Sequence, residues 1–141
     1  MNAVKVYYRC DGDETIDYLD ITSMYPHVMS APQYYYPIKT TRILKKGRDT
    51  MLPIDKLFGL IKCTVQPPRD LYFPVLPERS ENNSKIVFHL NRMTGTWTSF
   101  EVQRAVQKGY VLVDVYEQHH FPECSNELFH EYNDTFFCYQ T

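Results

Sequence analysis

Asp20 is the residue of this sequence best placed to do chemistry. It stands near the end of the apolar run 15–21 (TIDYLDI), and a turn at Thr22–Ser23 leads from it into a helix-like segment, 23–31 (SMYPHVMSA). A carboxylate at the end of a strand is a hard oxygen ligand suited to Mg²⁺. Backbone N–H groups of the turn and the first helical residues point outward together and form an anion site. Mg²⁺ usually takes one or two protein carboxylates plus substrate phosphates. Two such ions about 3.5–4 Å apart can clamp the attacking and leaving oxygens of an in-line displacement. The same aspartate serves equally as a helix N-cap, and residue types alone leave both readings open. Asp17, three residues earlier, falls on the other face of the strand and adds no second carboxylate.

The elements that must position Asp20 read as follows. Residues 3–9 alternate as a strand, 11–14 (DGDE) make a turn, and 15–21 form the second strand of a hairpin. The helix over 23–31 has Ser23 as its cap, Pro26 in its first turn and Pro32 beyond its end. Strands follow at 36–44, 58–66 and 85–90, with the KKGR turn after the first of them. Pro67, Pro68, Pro74 and Pro77 keep their region out of any central sheet. Thr98 or Ser99 caps a helix over 99–108 that stops at Gly109. A strand at 110–117 leads to a last helix opened by Ser125 or Asn126, with Leu128, Phe129, Tyr132, Phe136 and Phe137 on its apolar side. Strands and helices do not alternate regularly, so the fold class is α+β.

Of the 141 residues 43% are apolar and 23% charged, which excludes disorder and collagen. The twelve Tyr suit half-buried strands and also stack on sugars and bases. A net charge of −2 gives no global basic field. Yet Lys39, Arg42, Lys45, Lys46 and Arg48 cluster, while no Lys or Arg follows Gly109 and Asp114, Glu117, Glu123, Glu127, Glu131 and Asp134 accumulate there. The basic run is either a phosphate contact or a solvated hairpin tip. Cys10, Cys63, Cys124 and Cys138 lack CxxC spacing and read as reduced thiols of an intracellular protein. His119, His120 and Cys124 lie close together, but a zinc site needs a fourth ligand and none is obvious. No apolar run approaches the length of a membrane span, and no signal peptide begins the chain.

Asp20-Ile21-Thr22-Ser23-Met24-Tyr25-Pro26 resembles motif A of family B DNA polymerases: Asp, two variable residues, Ser, an apolar residue, Tyr, Pro. The likeness continues through GLIKCTVQPP, LYFPVLP, TGTWTSFEVQRAVQKGY, VYEQHHF and ELFHEYNDTFF. These resemble the palm insertion of the protein-primed branch, which includes phage, mitochondrial-plasmid and Maverick/Polinton-type polymerases of transposable elements. The resemblance implies a partial palm: a β-hairpin and short helix carrying motif A, a β-rich insertion and two further helices. Residues 1–38 would be palm, 39–95 the insertion, and 96–141 palm leading toward the fingers.

It also implies roles. Asp20 would be catalytic and hold two Mg²⁺ ions, and the Ile21 carbonyl would complete the site of the triphosphate-bound ion. Backbone N–H groups around Ser23, Met24 and Tyr25 would face the dNTP phosphates. Tyr25 would lie under the sugar and exclude a 2′-hydroxyl. Lys39, Arg42, Lys45, Lys46 and Arg48 would meet DNA. Partners would be a DNA primer-template, dNTP and a terminal protein, with no membrane, in a nuclear or viral-replication setting. A second carboxylate motif of Asp-Thr-Asp type, an Asn-x-x-Tyr-Gly-type motif B and a fingers lysine do not occur in these 141 residues. The expectation is therefore a polymerase fragment, inactive alone, beginning after the exonuclease linker and stopping before the fingers. The alternative is a domesticated fragment that binds nucleic acid or protein without catalysis.

Overall fold

The computed structural model describes residues 9–10, 12–21, 23–79 and 85–137. They fall into two units, residues 37–124 and the segments on either side of them, and each has its own packing.

The unit 37–124 is built around one sheet. Its strands are β2 (Arg42–Lys45), β3 (Gly59–Gln66), β6 (Met93–Thr98) and β7 (Val111–His120), all antiparallel in the order β2-β7-β3-β6. Period-two alternation sends Ile61, Cys63 and Val65 of β3 to one face, and Met93 and Trp97 of β6 join them. Helix α2 (Ser99–Gln107) covers that face with Val102 and Ala105, and Leu57, Leu76 and Tyr110 close the core. Strand β7 carries two bulges opposite β3, at Tyr116 and Val113. The first lets the Tyr116 hydroxyl reach Thr64 Oγ1 at 2.9 Å, which in turn lies 2.7 Å from Thr94 Oγ1. This chain of hydroxyls explains how Thr64 is buried without a polar debt.

Gln118 is buried in β7. Its amide donates to Leu52 O and accepts from Leu52 N–H, both at 2.8 Å, so it holds the 50–53 loop as a strand partner would. Helix α2 begins with a capping box. Thr98 Oγ1 accepts from Glu101 N–H at 3.2 Å, and Glu101 Oε2 accepts from Thr98 N–H at 2.9 Å. Replacing Thr98 by alanine orphans one helical N–H and is expected to lower stability by about 1 kcal/mol. A urea titration checks it: an unchanged midpoint at equal slope would show that the box is decorative.

The helix over 99–108 and the strand at 58–66 match these elements closely. The strand over 36–44 is broken into β1 (Tyr36–Pro37) and β2, because Lys39 adopts φ 60 between them. The strand over 85–90 shrinks to β5 (Ile86–Val87), paired with β4 (Glu78–Arg79). Strand β6 has too few apolar side chains to be read from its sequence. Gly95 is small because the Trp97 ring lies over it: a Cβ there would sit 2.7 Å from that ring.

The other unit holds α1 (Met24–Ser30) and α3 (His130–Phe137). Their contact is polar at its centre. Asn133, 2% exposed, donates to Pro26 O at 3.1 Å and to Ser30 Oγ at 2.6 Å. Phe129 meets Tyr36 edge-on at 4.9 Å, and the Tyr36 hydroxyl donates to Val28 O at 3.2 Å. The last helix starts at His130 rather than near Ser125: the Glu127 amide is drawn to Ser125 Oγ, which closes a turn first. The hairpin expected from 3–9 and 15–21 rests on a first strand of which only Arg9 is among the described residues. Residues 15–21 have no ladder partner among the described residues, and Tyr18 is 94% exposed. Residues 3–8 lie outside the described residues.

Candidate functional site

The motif segment runs exposed into α1. Asp20 and Ile21 are open to solvent, as are Met24 and Tyr25, the last at 80%. Ser23 takes the left-handed conformation with φ 55 and ψ 33, and its carbonyl accepts from His27 N–H at 3.0 Å. Its hydroxyl makes no capping bond, contrary to the reading of Ser23 as a side-chain cap. The reason is geometric, since a capping side chain needs an extended backbone at that position. A non-glycine residue held in this region is uncommon and marks a turn fixed by its surroundings. Asn133 ties the first and last turns of α1, the helix that follows, together through Pro26 O and Ser30 Oγ. Nothing in the spacing of the last helix singled out Asn133; its only signal was an amide beside an apolar stripe.

The basic run belongs to the unit 37–124. Strand pairing sets Arg42 opposite His120 and Lys45 opposite Glu117. Lys46 reaches Asp114 at 2.5 Å and stands 5.8 Å from the Tyr116 ring centre, Lys45 reaches Glu117 at 3.7 Å, and Lys39 reaches Glu123 at 2.5 Å. The segregation of charge along the sequence thus becomes pairing, in part across β2 and β7. Arg42 and Arg48 are exposed and have no carboxylate partner among the described residues.

These pairs have a pH signature. The Lys46 hydrogen bond holds Asp114 below the usual carboxylate range, and the His119 hydrogen bond followed by the Lys45 charge does the same for Glu117. A depressed folded-state pKa contributes stability above the unfolded value, and that contribution is lost as pH falls through the folded value. Melting temperature is therefore expected to fall below about pH 4, and the fall should be smaller in Asp114→Asn. An acid limb identical in the variant and the parent would remove Asp114 from the account.

A family model described as DNA polymerase type B, organellar and viral, matches residues 2–140. The chain belongs to that family. No curated protein and no solved structure matches it. Membership implies DNA and dNTP as partners and nucleotidyl transfer as the family's activity.

For a type B polymerase the question is then what these residues offer a divalent metal. Asp20 is an accessible carboxylate with the hard-oxygen chemistry Mg²⁺ prefers. Among the described residues no group of three or more His, Cys, Asp or Glu converges on a point. Asp20 therefore fits one ligand position and these residues do not complete a metal site. His119, His120 and Cys124 do not make one either. His119 Nε2 is bonded to Glu117 Oε1 at 2.5 Å, His120 Nδ1 accepts from Phe58 N–H at 3.3 Å, and Cys124 is an exposed free thiol. Cys63 is fully buried, and burial pushes its thiol up to about 11, so it is no nucleophile at neutral pH. Among the described residues no helix is long and apolar enough to cross a membrane.

Proposed function

We propose that this chain supplies the motif A segment of the palm of a type B DNA polymerase of the protein-primed branch, and so takes part in template-directed deoxynucleotidyl transfer. The observation that supports it most is the family match over residues 2–140 together with Asp20-x-x-Ser23-Met24-Tyr25-Pro26 at the entry to an anchored helix. In this reading 1–38 and 96–141 are palm segments and 39–95 is the insertion that approaches primer, template or a terminal protein.

Asp20 and the Ile21 carbonyl would hold Mg²⁺ together with ligands supplied outside these residues. When bound, the ions would neutralise charge on the attacking and leaving oxygens. The work of this chain is to orient. The turn at Ser23 and the first turn of α1 present the Met24 and Tyr25 amides toward the triphosphate. The Tyr25 ring packs against the sugar. Arg42 and Arg48, without carboxylate partners among the described residues, are the members of the basic run best placed to meet phosphate; Lys39, Lys45 and Lys46 would first have to exchange theirs.

Sugar discrimination tests this reading. Tyr25→Ala, in an active polymerase that includes this segment, is expected to raise incorporation of ribonucleotides relative to deoxynucleotides by roughly 10–100-fold, because the clash with one extra oxygen is removed. Competitive primer extension with both nucleotides reads the ratio. An unchanged ratio would sink the placement of Tyr25, and absence of templated extension by the parent enzyme would sink the function.

A further inference from the structure

Loop 67–77 carries an aromatic pair that the fold holds out in water. Tyr72 is 85% exposed and Phe73 49%, with ring centres 4.4 Å apart in an edge-on arrangement. A lone exposed aromatic needs no explanation. This pair differs because the loop around it is fastened. Leu71 and Val75, one residue before and two after the pair, pack on the core, and Leu76 is fully buried. Val75 N–H donates to the Tyr110 hydroxyl at 2.9 Å. Pro68 and Pro74 stiffen both arms. The sequence Leu71-Tyr72-Phe73-Pro74-Val75-Leu76 therefore buries its ends and displays its two rings, where a chain free to move would have folded them in.

The charge at the base of this loop points to the partner. A Cβ on Gly109 would sit 3.5 Å from Pro68 Cγ, so Lys108 and Arg69 flank one point of contact. Both are exposed, and neither has a carboxylate partner among the described residues. Asp70 is the one acid in the same stretch. Exposed rings of which one keeps most of its surface free, on a loop whose base carries two cations without a carboxylate partner among the described residues, suit a flexible polyanion whose bases can stack. A duplex hides its base faces, so a single strand is the nucleic acid that can use the rings and the cations together.

We propose that Tyr72 and Phe73 form a stacking platform for single-stranded DNA, with Arg69 and Lys108 on its phosphates. It rests on the polymerase reading for the presence of single-stranded template, but not on Asp20 or Tyr25.

The test uses the 141-residue chain and a fluorescent single-stranded oligonucleotide followed by anisotropy at several salt concentrations. Tyr72→Ala is expected to weaken binding about ten-fold, and Tyr72→Phe, which keeps the ring, to remain within about two-fold of the parent. Arg69→Ala and Lys108→Ala should each lower the salt slope by about one. In Tyr72→Trp the indole emission should be quenched by the single strand and much less by duplex of the same length. Parent-like affinity of Tyr72→Ala overturns the proposal, as does a parent chain that ignores single strands; the second result would assign the rings to a protein surface. If that happened while polymerase activity still depended on Asp20, the platform would fall and the polymerase reading would stand.

Discussion

Replacing Asp20 by asparagine or alanine is expected to slow nucleotide incorporation by roughly 10³-fold or more in an active polymerase that includes this segment. Each factor of ten corresponds to about 1.4 kcal/mol of transition-state stabilisation, and a metal-holding carboxylate supplies several kcal/mol of it. Asparagine is the sharper variant: it keeps the shape and one oxygen but removes the charge. Asp20 is exposed and makes no structural hydrogen bond in the described unit, so the loss should come without unfolding. The drop should appear in kcat and kcat/KM alike, the mark of an interaction made in the transition state. Affinity for primed DNA should change little. Single-turnover primer extension across a Mg²⁺ titration measures all of this. Asp17→Asn is the control, expected within about two-fold of the parent because Asp17 lies outside the Asp20–Pro26 motif. A rate for Asp20→Asn within ten-fold of the parent would return Asp20 to the role of an ordinary turn residue.

What could be read from the sequence depended on whether a residue's task was local. Helix α2 was legible because its capping box, Thr98 with Glu101, and its stop at Gly109 are short-range devices. The KKGR turn and β3 were legible for the same reason. The segment at Asp20 offered a motif but little structure: the partner strand of its expected hairpin falls mostly outside the described residues, and Ile16, Tyr18, Leu19 and Ile21 are exposed. Strand β6 was missed because what makes it a strand lies elsewhere: Thr94 is satisfied by Thr64, and Gly95 is small for the sake of Trp97. The basic run shows the same limit. Composition set Lys39–Arg48 apart from the acidic end of the chain, but only the pairing of β2 with β7 set Lys45 and Lys46 against Glu117 and Asp114, with Lys39 on Glu123 beyond it and two arginines without a carboxylate partner among the described residues. Asn133, whose amide fastens the helix that bears Tyr25, showed only as an amide beside an apolar stripe.

Gly59 carries the largest expected effect on stability. It starts β3 with φ 147, a conformation that side chains other than glycine's rarely adopt. A Cβ built on it would lie 2.0 Å from His119 O and 3.1 Å from Phe121 Cδ2. The first of these atoms is backbone at the end of the β3–β7 ladder, beside the Gly59–His120 pair, and cannot turn aside. Gly59→Ala must therefore push apart the strands that pair Gly59 with His120 and Leu60 with His119, and it weakens the bonds from Gly59 N–H to Ser99 Oγ and from Phe121 N–H to Phe58 O. Strain and lost hydrogen bonds together should cost about 3–5 kcal/mol, a large part of what a domain of this size has. Gly47 supplies the comparison. It also has a positive φ, 81, but nothing lies within 4 Å of its Cβ position. Gly47→Ala should cost only the left-handed conformation itself, roughly 1–2 kcal/mol. Thermal melts should separate the two by at least about 5 °C, with Gly59→Ala lower. Equal melting temperatures would mean that the close approach at His119 relaxes freely, and that the start of β3 is held by its backbone angle alone.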